Sequence, residues 1–80
     1  MYTVYIIRSK RTRRYYKGQT HDLDNRLNED NSGKTQFTRS GIPWELIWSE
    51  VHETRSAAIN RERQIKKRGI ERFLRDTGVL

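Results

Sequence analysis

The chain has 80 residues, 34% of them charged and 32% hydrophobic, which is enough for one compact domain over residues 1–80 and too little for two. Lys and Arg number 17 against 10 Asp and Glu, so the formal charge is +7 and the pI near 10.3, a field that attracts polyanions, with nucleic acid the leading candidate. The absence of cysteine excludes a disulfide scaffold, a disulfide-linked partner, a thiolate zinc site and a cysteine nucleophile, and no apolar run reaches membrane-spanning length.

The opening Tyr2 to Arg8 carries Tyr, Thr, Val and Ile almost without interruption, a strand composition. It is too short and too aromatic for a secretory signal, and Arg8, Lys10, Arg11, Arg13 and Arg14 follow closely, so an intracellular, cytoplasmic protein is expected. A second β-prone run covers Tyr15 to Thr20, and the polar Ser9 to Arg14 between them suits a hairpin loop. Alternation puts Thr3, Tyr5 and Ile7 on one face of the first strand, and Tyr16 and Gly18 on one face of the second. If Tyr5 and Tyr16 stand opposite each other their phenols converge, whereas a slip of one residue separates them.

A short helix follows, capped by Thr20 or Asp22, with Leu23 and Leu27 at i and i+4 and a stop at Asn31-Ser32-Gly33. Lys34 to Pro43 reads as a loop with room for one helical turn. Trp44 to Val51 alternates imperfectly, with Trp44, Leu46 and Trp48 on one face of a third strand. Thr54 opens a second clear helix that runs to about Arg68 and ends at Gly69, and Ile70, Phe73 and Leu74 have the spacing of a brief third helix. The order predicts an α+β domain with a small, mainly antiparallel sheet.

Glu62, Arg26 and the strand tyrosines are the candidates for chemistry. Glu62 lies between Ala58 and Ile65 on the stripe that faces the sheet, where a carboxylate costs several kcal/mol unless something positive answers it. Either Arg61, Arg63 or Arg26 pairs with it, or it is a metal ligand on a site floor. Arg26, beside Leu23 and Leu27, makes a surface pair with Asp30 or aims a guanidinium fork at a phosphate. Strand tyrosines are usually packing residues, the part expected of Tyr2 and Tyr15, and Gly18 inside a strand marks a bulge or a close approach.

The joint spacing is more specific than any single position. Thr3-Val4-Tyr5, then Tyr16-Lys17-Gly18, then Arg26, then a helical Glu62 within Glu62-Arg63-Gln64-Ile65-Lys66 resembles the GIY-YIG nuclease family. More narrowly it is similar to the compact stand-alone branch related to the catalytic N-terminal domain of the excision-repair incision subunit. Supporting strings are Asp22-Leu23-Asp24-Asn25-Arg26-Leu27, Asn31-Ser32-Gly33-Lys34, Phe37-Thr38-Arg39, Pro43-Trp44-Glu45-Leu46 and Glu53-Thr54-Arg55-Ser56-Ala57.

The resemblance implies a three-stranded antiparallel sheet flanked by helices. It also implies an endonuclease that hydrolyses DNA phosphodiester bonds with one divalent ion, Mg²⁺ or Mn²⁺, in DNA repair or processing. Tyr5 and Tyr16 stand for the family's two tyrosines, Gly18 for its glycine, Arg26 for its arginine and Glu62 for its metal-binding glutamate. On that reading Tyr5 acts as base or orients the attacking water, Tyr16 bonds water or phosphate, and Arg26 neutralises phosphate charge. A tyrosine base needs the cations around it, Lys17 and Arg26 among them, to favour the phenolate.

The chain departs from the pattern at Asp30, where the family commonly has His or Tyr; a carboxylate there accepts a proton or holds a water. Lys17, Gly18, Lys34 and Arg39 are candidate substrate contacts, as are Lys10, Arg11, Arg13, Arg14, Lys66, Lys67 and Arg68 for the phosphate backbone. The alternative is a nucleic-acid-binding module on the same fold that does not cut. A third reading has Trp44 and Trp48 as an exposed docking surface, though both fit a core more simply.

Overall fold

A computed structural model describes residues 1–80. The chain runs β1 (Tyr2–Ser9), β2 (Tyr15–Thr20), α1 (Leu23–Ser32), α2 (Gln36–Arg39), β3 (Trp44–His52), α3 (Arg55–Arg68) and α4 (Ile70–Thr77). The strands form one antiparallel sheet in the order β2-β1-β3, the three-stranded, helix-flanked architecture expected from the sequence. β1 is the central strand because it is the most apolar, and its Val4, Tyr5, Ile6 and Ile7 are wholly buried. β2 and β3 are the two edges.

Register divides the molecule into two layers. Val4 and Ile6 point to one face, where Ala58 and Ile65 of α3 and Phe73 and Leu74 of α4 complete the core. Tyr5, Ile7 and Ser9 point to the other, the side on which Asp30 of α1 and Thr38 of α2 are buried. Each fully buried Ile or Leu contributes about 1.5–3 kcal/mol.

The structure settles the register that the sequence left open between the first two strands, and corrects the shared face expected in the third. Tyr5 stands opposite Gly18, and Tyr16 stands opposite Ile7, so the two tyrosines share a face as diagonal neighbours and do not face each other directly. In β3 the pairing shifts: Ile6 faces Trp48 and Ile7 faces Leu46, leaving Ile47 as the extra residue of an irregularity. Trp48 therefore turns toward the core with Ile6, whereas Trp44 and Leu46 turn the opposite way, and the three do not share one face. Trp48 meets Phe73 edge-on at 4.8 Å, while Trp44 donates its indole N–H to the Thr38 carbonyl at 2.7 Å. Neither tryptophan is an exposed docking surface.

Local chemistry sets the helix ends. The Asp22 carboxylate accepts from the Asn25 N–H and the Thr54 hydroxyl from the Ala57 N–H, both at 3.1 Å. Gly33, at φ 84°, takes the left-handed turn that ends α1. Ser9 ties the hairpin loop to the rest, its hydroxyl donating to the Gly41 carbonyl at 2.6 Å while accepting from the N–H groups of Arg11 and Thr12.

Candidate functional site

The site begins with a space that only glycine leaves. A Cβ at Gly18 would lie 2.7 Å from the Tyr5 hydroxyl oxygen and 2.9 Å from Cζ, so the Tyr5 phenol lies across the backbone of the edge strand where a side chain would otherwise stand. The close approach at Gly18 is made by this side-chain ring, where the sequence suggested another backbone or a ligand. Tyr16, next on the same face, packs edge-on to Trp44 with ring centroids 6.3 Å apart.

α1 brings Arg26 and Asp30 to the same side, one helical turn apart. Arg26 Nε lies 3.8 Å from Asp30 Oδ1, with the arginine partly exposed and the carboxylate wholly buried. Both Asp30 oxygens, Arg26 Nε and the Tyr5 hydroxyl are buried without a hydrogen-bond partner in the protein. A buried polar group left without a hydrogen bond costs about 1–3 kcal/mol, a cost offset here by the attraction between Arg26 and Asp30.

That environment moves the titrations. Burial pushes the Tyr5 phenol up to about 12; Arg26 pulls it down, while Asp30 and Tyr16 push it further up. Burial likewise holds the Asp30 carboxyl above its ordinary value against the opposing pull of Arg26. Burial works against the Arg26 charge, but Tyr5 and Asp30 outweigh it and keep the guanidinium firmly protonated. The cationic setting expected to favour a Tyr5 phenolate is thus overcome by desolvation, and Lys17 takes no part in it.

Lys17 is absent from this cluster because it points to the other face. It lies opposite Ile6, and its ammonium donates to Glu62 Oε1 at 3.2 Å across the gap between β2 and α3. The sequence offered Arg61, Arg63 or Arg26 as the partner of Glu62, and the structure supplies Lys17. Arg61 is engaged elsewhere, with Glu50 at 3.0 Å and over the ring of Phe73 at 5.0 Å.

The candidate residues therefore fall into two halves. Tyr5, Tyr16, Gly18, Arg26 and Asp30 lie on one face of the sheet, and Lys17 and Glu62 on the other, meeting at consecutive residues of an edge strand. Glu62 makes no hydrogen bond or ion pair with the tyrosines, Arg26 or Asp30, its one ionic partner being Lys17. No single cavity gathers them. A recess of about 360 Å³ opens beside Arg26, between Tyr2, Gln19, His21 and Arg55, and a larger groove of about 670 Å³ opens beside Lys17.

Lys34 and Arg39 line neither opening, and Arg39 donates Nε to the Gly33 carbonyl at 2.8 Å, bracing the turn between α1 and α2. Tyr15, Arg72 and Arg75, which the sequence left without a site role, line the larger groove. The arginines' i, i+3 spacing on α4 was the available signal.

The residues suit a divalent ion only in a sparse form. No group of three or more His, Cys, Asp or Glu is assembled anywhere, so Glu62 would hold an ion with few protein ligands. Mg²⁺ accepts such a site, retaining waters and taking phosphate oxygens as its other ligands. The Lys17 ammonium lies against Oε1 and must yield for a metal to enter.

A tyrosine laid over a glycine of the edge strand, an arginine one element later and a glutamate on the helix behind are the positions on which the sequence resemblance rests. The model of the GIY-YIG catalytic domain matches residues 1–71. The chain belongs to the GIY-YIG family, which is in general a family of nucleic-acid-binding nucleases. It is similar to a UPF0213 protein of Haloquadratum walsbyi, 42% identical over 52 residues covering 64% of this chain and 58% of the relative. A UPF0213 protein of Syntrophus aciditrophicus is 41% identical over 54 residues, covering 65% and 62%. These matches thus span less than two thirds of the relatives' own length. The solution NMR structure of a UPF0213 protein from Bacillus halodurans superposes with a TM-score of 0.59 at 26% identity, covering 99% of this chain and 85% of that one. No helix is long and apolar enough to cross a membrane.

Proposed function

We propose that the protein is an endonuclease that hydrolyses phosphodiester bonds in DNA with the aid of Mg²⁺ or Mn²⁺, with low sequence specificity, in DNA repair or processing. The observation that carries the reading is the cluster of Tyr5, Arg26 and Asp30 around Gly18, with four buried polar atoms whose hydrogen-bonding capacity is unused within the protein.

Arg26, partly exposed at the mouth of the smaller recess, would meet a non-bridging phosphate oxygen and offset the charge that grows there. The Tyr5 phenol, neutral at pH 7, would orient the attacking water by hydrogen bonding, and Asp30, one turn from Arg26 and above its usual pKa, would accept the water's proton. Tyr16 would bond the phosphate or the water on the same face. On the far side of β2, Glu62 would hold the divalent ion once Lys17 withdraws. When bound, that ion supplies Lewis-acid polarisation of the phosphate and stabilises the departing oxygen.

The test is incubation with supercoiled, single-stranded and branched DNA plus Mg²⁺ or Mn²⁺. Tyr5→Phe, Arg26→Ala and Glu62→Gln are expected to reduce cleavage by roughly 10²-fold or more while circular dichroism stays native. Full cleavage by Glu62→Gln would remove the metal role. A second reading has a specific basis: the Tyr5 hydroxyl is buried and Glu62 is occupied by Lys17, as in a module that binds without cutting. Binding of every substrate with no cleavage of any, in either metal, would establish it.

A further inference from the structure

We infer that the groove at the α3–α4 junction binds the phosphate backbone of a single-stranded nucleic-acid segment and leads it to the Glu62 side of β2. Six cations line it, Lys17, Lys66, Lys67, Arg68, Arg72 and Arg75, against the single acid Glu71. Two of the six are neutralised within the protein: Lys17 by Glu62 at 3.2 Å, and Arg68 by a two-pronged contact with Asp76 at 2.8 and 3.0 Å. Lys66, Lys67, Arg72 and Arg75 form no ion pair and donate no side-chain hydrogen bond, and all four are exposed.

Folding alone does not ask for this arrangement. Cations in the last turn of α3 complement the helix dipole, which accounts for Lys66, Lys67 and Arg68. The same dipole disfavours Arg72, which sits in the first turn of α4. Gly69, with φ 94°, is the single residue between α3 and α4, and the turn it makes brings Arg72 and Arg75 to the same groove as the α3 lysines. Like charges held together repel, and a polyanion removes the repulsion.

At about 670 Å³ the groove has the capacity of a small-ligand site, which a few nucleotides of one strand would fill. Its wall includes Tyr15, which packs one side of its ring on the core and leaves the half-buried remainder as an aromatic surface of the kind on which bases stack in cationic single-strand channels. Lys17 belongs both to the groove and to the Glu62 pair, so a strand lying in the groove ends beside the carboxylate that the proposed function assigns to the metal. The inference shares with that function only a nucleic-acid ligand, and it is measured without cleavage.

The experiment is fluorescence anisotropy of a labelled oligonucleotide, single-stranded or folded into a duplex hairpin, with the Glu62→Gln chain in chelator. The Arg72→Ala/Arg75→Ala pair is compared with Arg11→Ala/Arg13→Ala, which removes the same charge from the β1–β2 loop. The groove pair is expected to weaken single-strand binding at least tenfold and to lower the salt slope by about 1.4, two phosphates at roughly 0.7 each. The loop pair, itself a candidate backbone contact, should weaken binding less than the groove pair does, and Tyr15→Leu should weaken it about fivefold or more. Equal losses from both pairs, no loss from the groove pair, or tighter binding of the duplex than of the single strand would overturn the inference. A chain that never cuts DNA leaves all of these outcomes as they stand.

Discussion

The two sides of β2 solve opposite electrostatic problems. On the Tyr5 side the polar groups are sealed: Tyr5 and Asp30 are 0% exposed, their pKa values are pushed up by burial, and four of the cluster's polar atoms lack partners. On the Glu62 side the charges are wet and paired, with Lys17 and Glu62 side chains 20% and 26% exposed and joined at 3.2 Å. The contrast teaches that one face is fixed by packing and the other is exchangeable. Groups held rigidly in a dry setting suit orientation of reacting atoms, whereas a solvated carboxylate whose partner is a flexible lysine suits an ion that comes and goes.

The sharpest way to break this contrast is at Gly18. Gly18→Ala places a methyl where the Tyr5 phenol lies, and the ring must leave the edge strand. The expected result is loss of cleavage by about 10²-fold, the scale of an ångström misplacement, with native circular dichroism. Unchanged cleavage would mean that the phenol's place over β2 has no role.

A smaller effect is expected from Lys17→Met, which frees Glu62 on the exchangeable side. For a partly exposed ion pair worth about 0.2–1 kcal/mol, Mg²⁺ or Mn²⁺ should bind roughly two- to fivefold more tightly by titration calorimetry. Weaker binding would show that Lys17 does not compete with the ion.

The smallest effect concerns the sealed side. The folded-state pKa of Asp30 is raised, so protonation favours the native state, and the penalty of the charged form is absent at low pH and appears as pH rises through the folded value. Asp30→Asn should therefore raise the melting temperature by a few degrees at pH 7, at a scale of about 4–8 °C per kcal/mol. The gain should vanish once pH falls below the ordinary carboxyl value of 3.8. A gain that is the same at both pH values would assign it to something other than charge burial.

The strands, the caps at Asp22 and Thr54 and the glycine stop at Gly33 follow from local composition, and the sequence reading placed them within a residue or two. Register did not follow. The pairing of Tyr5 with Gly18 depends on the geometry of the loop from Lys10 to Arg14, and strict alternation through β3 hides the extra residue at Ile47. The Lys17–Glu62 pair spans 45 positions, so no helical or strand periodicity announces it. Glu62 was placed on the inward stripe, which is right for the helix, but its face of the sheet is opposite to that of the tyrosines. That division comes from the alternation of β2 itself, in which Lys17 and Gly18 are neighbours with opposite orientations. Asp30 was noticed as an unusual residue type; its complete burial is a tertiary property of α1 packed over the sheet.

The central claim is that both sides of β2 act on one phosphate. A double-mutant cycle of cleavage with Tyr5→Phe, Glu62→Gln and the combined variant tests it most directly. Residues acting as one unit are predicted to give a double variant hardly slower than the worse single variant. Losses that simply multiply would contradict the account and leave two independent sites on opposite faces of the sheet.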